Sequence, residues 1–167
     1  MTEELKLTPS ESLVIRAGGP DALEVEATYG PGGSPPPKHF HPSQDEHFEV
    51  LAGTVRVRVD GDERDLATGE EIDIPRGAVH QMWNPVAEQA RVSWRTSPAG
   101  RTEQWFRAVD AANRRAVEEG RDRAGTLDFA PLLAEFEDVI RLAGPQPVVR
   151  PALRGMALVS RLTRRGT

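Results

Sequence analysis

Cysteine is absent from this chain of 167 residues. Disulfide bonds and thiolate-bound zinc are thereby excluded, and the usage fits a cytoplasmic protein without requiring one. No apolar run approaches the length of a membrane span. The opening Met1-Thr-Glu-Glu-Leu-Lys has no basic stretch leading into an apolar one, so a secretory leader is not expected and a cytoplasmic location is. Internal repeats are missing, as is any low-complexity tract beyond Pro35-Pro36-Pro37, and no helix-turn-helix signature joins the chain to transcription. Excess basic charge is confined to the C-terminus. The net charge is −5, yet residues 145–167 hold five arginines (Arg150, Arg154, Arg161, Arg164 and Arg165) and no acid, so the remainder carries −10. An acidic body does not suit binding to nucleic-acid phosphates, and no nucleic-acid partner is expected.

What is present is a globular composition, 38% apolar, sufficient to bury one core. Up to about residue 100 the apolar residues recur with period two. Ser12 to Ala17 and Leu23 to Tyr29 read as strands around the turn signal Gly18-Gly19-Pro20-Asp21, and Leu23, Val25 and Ala27 share one face. Thr54 to Asp60 alternates valine with arginine and leads through Asp60-Gly61-Asp62 into a return strand from Arg64 to Leu66. With Glu46 to Leu51, Glu71 to Ile74, Val79 to Trp83 and Arg91 to Thr96, this makes roughly nine short strands separated by glycine and proline turns, the pattern of a β-sandwich or barrel.

After Pro98-Ala99-Gly100 the period becomes that of a helix. One stripe consists of Trp105, Phe106, Val109, Ala112 and Ala116. A second, expected to begin with Asp128 as its N-cap, consists of Phe129, Leu132, Leu133, Phe136 and Ile140, with Gly144-Pro145 as its stop. A third, basic helix is expected from about Arg150 to Thr163. Its apolar face suits docking on the same protein or its twin better than contact with an acidic membrane. The division is thus a β-domain over residues 1–100 and a helical extension over 101–167 packed on the barrel or on a partner subunit.

The chemistry concentrates between Gly33 and Asn84. Gly33, His39, His41, Glu46 and Gly53 form one spaced set; Gly69, Pro75, Gly77, His80 and Asn84 form another. Pro35 to Pro37 stiffen the approach to the first pair of histidines, and Pro42 keeps His41 out of the helical region, so His39-Phe40-His41 is extended. In an extended segment residues two apart point the same way, so both imidazoles project to one face. His47 follows Glu46 on the same strand and is expected on the opposite, outer face. The glycines, Pro75 and Asn84 read as turn residues, Arg76 as a solvated turn residue, and Phe48, Met82 and Trp94 as core or pocket lining.

These ten positions resemble, one for one, the two motifs of the cupin superfamily, each position matching by accident only about one time in twenty. The resemblance implies a mainly β fold, a double-stranded β-helix (jelly-roll barrel), here followed by C-terminal α-helices. It also implies a metal site in which His39, His41, Glu46 and His80 hold one divalent ion (Fe, Mn, Ni, Co, Cu or Zn). Imidazole and carboxylate donors suit all of these metals, and four protein ligands leave coordination positions open. The small quercetin dioxygenase-like members of the superfamily set the leading expectation: a metal-dependent oxygenase acting on a small organic molecule, with Glu46 also acting as a catalytic proton acceptor. A metal-assisted isomerase, epimerase or lyase is the alternative, favoured if Arg56, Arg58, Arg91 and Arg95 face inward; a non-catalytic binding module is a third. Pairing through sheets, common in cupins, makes a homodimer the expected assembly.

Overall fold

The computed structural model describes residues 3–164, with side chains through 162. Among the described residues eleven strands and three helices follow one another: β1 (Glu4–Thr8), β2 (Glu11–Gly18), β3 (Leu23–Tyr29), β4 (His39–Phe40), β5 (Asp45–Ala52), β6 (Thr54–Val59), β7 (Asp62–Ala67), β8 (Glu71–Ile74), β9 (His80–Trp83), β10 (Ala90–Ser97), α1 (Thr102–Glu118), α2 (Thr126–Glu135), β11 (Arg141–Leu142) and α3 (Gln146–Arg164). The strands form two antiparallel sheets, one ordered β1-β2-β3-β10-β5-β8 and the other β11-β4-β9-β6-β7. This is the mainly β, double-stranded β-helix architecture with C-terminal helices that the motifs imply.

Strict alternation builds the barrel interior. In β3, Leu23, Val25, Ala27 and Tyr29 are buried and the residues between them are not. Across the sheet the register sets Trp94 opposite Val25 and Phe48, and Val92 opposite Ala27 and Val50, so these side chains share one inward face. The second sheet supplies Val55, Val57, Leu66 and Met82. Two-residue hairpin chemistry joins β6 to β7: Asp60 (φ 49) and Gly61 (φ 103) both adopt the left-handed conformation that such a turn demands. Gly53 meets a different demand, because a Cβ there would sit 2.6 Å from the carbonyl oxygen of Gln89.

The arginines on strands are outward. Arg56 pairs with Asp65 at 2.6 Å, Arg58 with Glu63, Arg91 with Glu26 at 2.8 Å and Arg95 with Glu24 at 3.6 Å. His47, on the outer face of β5, stands 2.8 Å from Asp73, and Arg76 closes on Asp45 at 2.6 Å.

The helical extension is built onto the barrel at three places. Helix α1 buries Trp105, Phe106, Val109, Ala112 and Ala116. Its Asp110 accepts the backbone N–H of Lys6 in β1 at 2.9 Å. At its start, the Gln44 side-chain amide bonds the Ala99 carbonyl at 3.0 Å and the Thr102 hydroxyl at 2.6 Å, tying the helix to the turn that delivers β5. Helix α2 differs from expectation at both ends. Gly125 is the N-cap, and Asp128 lies three residues further in, where its carboxylate accepts the Gly125 N–H at 2.8 Å. The helix stops at Glu135, so Ile140 belongs to the turn beyond it. The chain then forms β11, which pairs with β4 and places the Ala143 N–H 2.8 Å from the Lys38 carbonyl.

Helix α3 starts four residues earlier than its basic pattern indicates. It buries Leu153, Ala157 and Ser160 and exposes Val148, Leu158, Val159 and Leu162. Among the described residues no helix is long and apolar enough to cross a membrane.

Candidate metal centre

Of the four residues singled out by spacing, His39, His41 and His80 converge, and Glu46 stands against two of them. His39 lies on β4 and His41 just beyond it, Glu46 is the second residue of β5, and His80 opens β9. His39 is the direct cross-strand partner of His80. One ligand atom from each of the three histidines lies within 4.8 Å of the others. Glu46 joins them: its Oε2 is 3.0 Å from His80 Nε2 and its Oε1 is 3.3 Å from His41 Nε2. His41, Glu46 and His80 are buried, and His39 is half-buried on the open side.

Backbone carbonyls fix the tautomers. His39 Nδ1 lies 2.8 Å from the Pro37 oxygen, His41 Nδ1 2.7 Å from the Val139 oxygen, and His80 Nδ1 3.1 Å from the Ala78 oxygen. A carbonyl can only accept, so each Nδ1 carries a proton and donates it. In the neutral ring the lone pair is then on Nε2, the nitrogen turned toward the cluster. The partner of His41 was not foreseen from the motifs, for Val139 is 98 residues away in the helical extension. No spacing rule reaches it, since a backbone carbonyl leaves no mark in side-chain sequence.

Burial and charge act together on the cluster. Burial pushes His39 down to about 3, reinforced by the neighbouring His80 and His41 rings, and burial likewise lowers His41. For His80 burial also pulls downward, but the adjoining Glu46 carboxylate outweighs it and the net shift is up. Burial alone would raise Glu46; the His41 and His80 rings overcome it and hold the carboxyl at about 2. Glu46 is therefore an anion at neutral pH.

The residues fit a divalent ion. His41 Nε2 and Glu46 Oε2 are buried without a hydrogen-bond partner, although each such vacancy costs roughly 1–3 kcal/mol in a protein interior. The short contact between Glu46 Oε2 and His80 Nε2 brings donor atoms together without satisfying Oε2. Donors each about 2.1 Å from one ion stand at most about 4.2 Å apart, so the trio needs only small shifts to close on it. Beside the cluster is a cleft of about 320 Å³ lined by Lys38, Arg58, Asp60, Gly61, Val79, His80 and Gln81.

Comparison with known proteins bears on the same segment. Residues 25–95 match the family model described as a cupin domain. An oxidoreductase from Arthrobotrys oligospora is 38% identical over 52 residues, which is 30% of this chain and 21% of that protein. The tetracenomycin polyketide synthase protein TcmJ of Streptomyces glaucescens is 34% identical over 61 residues, 36% of this chain and 41% of that one. The matched segments span less than half the length of these relatives. Among solved structures, an RmlC-like cupin from Shewanella frigidimarina superposes with a TM-score of 0.56 at 20% identity, covering 61% of this chain and 88% of its own. Fold, motif and family model agree on this segment: residues 25–95 carry a cupin domain.

Proposed function

We propose that the protein is a metal-dependent oxygenase acting on a small organic substrate that binds through its own oxygen atoms. The observation that carries this reading is the donor set: three imidazoles that each bring one ligand atom within 4.8 Å of the others, with an ionised carboxylate against two of them. Three imidazole nitrogens and one carboxylate oxygen would leave one or two positions open around a five- or six-coordinate ion. When bound, a divalent ion would supply a Lewis-acid centre for the substrate oxygen and, if redox-active, a route for electrons to dioxygen.

The chain's own residues supply the rest. His39, His41 and His80 hold the ion, each locked by its Nδ1–H bond to a carbonyl. Glu46 is anionic, and its buried Oε2 is free of hydrogen bonds, which suits it to take a proton from a substrate hydroxyl. The cleft at His80 has the size of a small-molecule site, with Lys38 at its rim to meet an anionic oxygen. Similarity to an oxidoreductase supports the redox class. The isomerase alternative calls for cations at the site: Arg56, Arg91 and Arg95 pair with acids on the outer faces, while Arg58, paired with Glu63, lines the cleft together with Lys38.

The test is oxygen uptake by protein reconstituted separately with iron, nickel, manganese, cobalt and copper, offered enol, flavonol and diketone substrates. Consumption that requires both metal and substrate and is lost in Glu46→Gln is the expected result. No consumption with any metal form would overturn the oxygenase reading.

A further inference from the structure

We infer that Trp94 is the positioning residue for Glu46, fixing the carboxylate so that Oε2 alone is presented to the metal. The inference deepens the metal-centre reading and rests on it. Trp94 lies on β10, and its indole Nε1–H donates to Glu46 Oε1 at 3.0 Å. The two oxygens of one carboxylate are thereby made unlike. Oε1 has a donor; Oε2 has none, is buried, and stands 3.0 Å from His80 Nε2. A carboxylate with one oxygen engaged by an N–H turns the other toward the ion, which favours one-oxygen ligation over chelation and keeps a coordination position open.

The indole is itself held. Phe48, its cross-strand neighbour on β5, stacks on it with centroids 5.3 Å apart and planes 29° from parallel. Phe106 of α1, 1% exposed, meets it edge-on at 5.0 Å. A strand and a helix thus fix the ring's position, and the ring fixes the carboxylate. Chemistry favours tryptophan here. Its N–H is a donor only, does not titrate near neutral pH and cannot ligate the ion, whereas a histidine or lysine in its place would compete for the metal or repel it.

The test uses the full chain and Co²⁺ as the probe. Trp94→Phe keeps an aromatic ring between Phe48 and Phe106 and removes only the N–H. Its expected cobalt affinity is roughly 10- to 100-fold weaker than that of the wild type, with a visible absorption spectrum altered in intensity as the carboxylate changes its mode of ligation, while near-ultraviolet circular dichroism of the metal-free protein stays close to wild type. Wild-type affinity and an unchanged spectrum in Trp94→Phe overturn the positioning role alone. A wild type that takes up no cobalt overturns the metal centre, and this inference with it. Should Trp94→Phe fail to fold, the wild-type protein answers instead: the indole N–H resonance assigned to Trp94 through its contacts with Phe48 and Phe106 is expected to shift on adding Zn²⁺ and to exchange slowly with solvent. A resonance that neither moves nor is protected overturns the inference.

Discussion

Single residues carry the polarity of this barrel's interior, and two of its acids, buried Glu46 and half-buried Glu11, behave oppositely. Glu46 is surrounded by imidazoles and stays ionised. Glu11 pairs in register with Tyr29 on the inward face of β2, where burial lifts its carboxyl to about 7, the Tyr29 hydroxyl only partly opposing this. The sign of its effect follows. Between the unfolded value near 4.5 and about 7 the folded protein holds a proton that the unfolded chain has lost, so stability declines as pH rises through that window and levels off above it. Glu11→Gln keeps a neutral side chain that can still bond Tyr29 and removes the titration. Urea unfolding at pH 5 and pH 8 is therefore expected to show the wild type losing more stability than Glu11→Gln between the two. Parallel losses would refute the assignment. Nothing in the sequence marks Glu11 as unusual, because its environment is created by a strand pairing across the Gly18–Asp21 turn.

At the scale of elements, legibility followed length and periodicity. Strands β3 and β6 and the stripe of α1 stand in the sequence with nearly their observed limits, since each repeats its apolar spacing several times. The four candidate ligand positions stand out in the sequence for another reason: the motifs fix residue types at set spacings, and three of them, His39, His41 and His80, come together in the fold. The two-residue strands β4 and β11 are too short to show a period, and their pairing is a long-range event that leaves no local trace. Asp128 was misplaced because an acid at the third helical position and an acid at the N-cap both precede an apolar run; the Gly125 N–H decides between them. The unread pairing has a consequence for the site. The turn that ends α2 sends the Val139 carbonyl to His41 and the Ala143 N–H to the Lys38 carbonyl, clasping the ligand-bearing segment from outside the matched domain. Ala143→Pro deletes that N–H while leaving every ligand in place. It is expected to weaken cobalt binding several-fold and to speed hydrogen exchange at 139–142, with the β6–β7 hairpin unaffected. Wild-type affinity in this variant would mean that the clasp does not order His41.

For the whole molecule the candidate metal site is where otherwise separate parts become one body. Its candidate donors come from β4 and the residue after it and from β9 in one sheet, and from β5 in the other, while α1 reaches it through Trp94 and the C-terminal extension through Val139. Without an ion, His41 Nε2 and Glu46 Oε2 are buried with no partner, and the His80–Glu46 contact leaves Oε2 unsatisfied. An ion removes those costs and binds the folded chain alone, since unfolding separates the donors. Linkage then sets the size of the effect: free metal at a hundred times its Kd stabilises the fold by about 2.7 kcal/mol. For a chain of this size each 1 kcal/mol moves Tm by about 2–4 °C, so the rise is expected to be roughly 5–11 °C, reversed by a chelator. His80→Ala is expected to lose the rise and His47→Ala, altered on the outer face, to keep it. An unchanged Tm across iron, nickel, manganese, cobalt, copper and zinc would show that the four donors do not share an ion, whatever the barrel around them resembles.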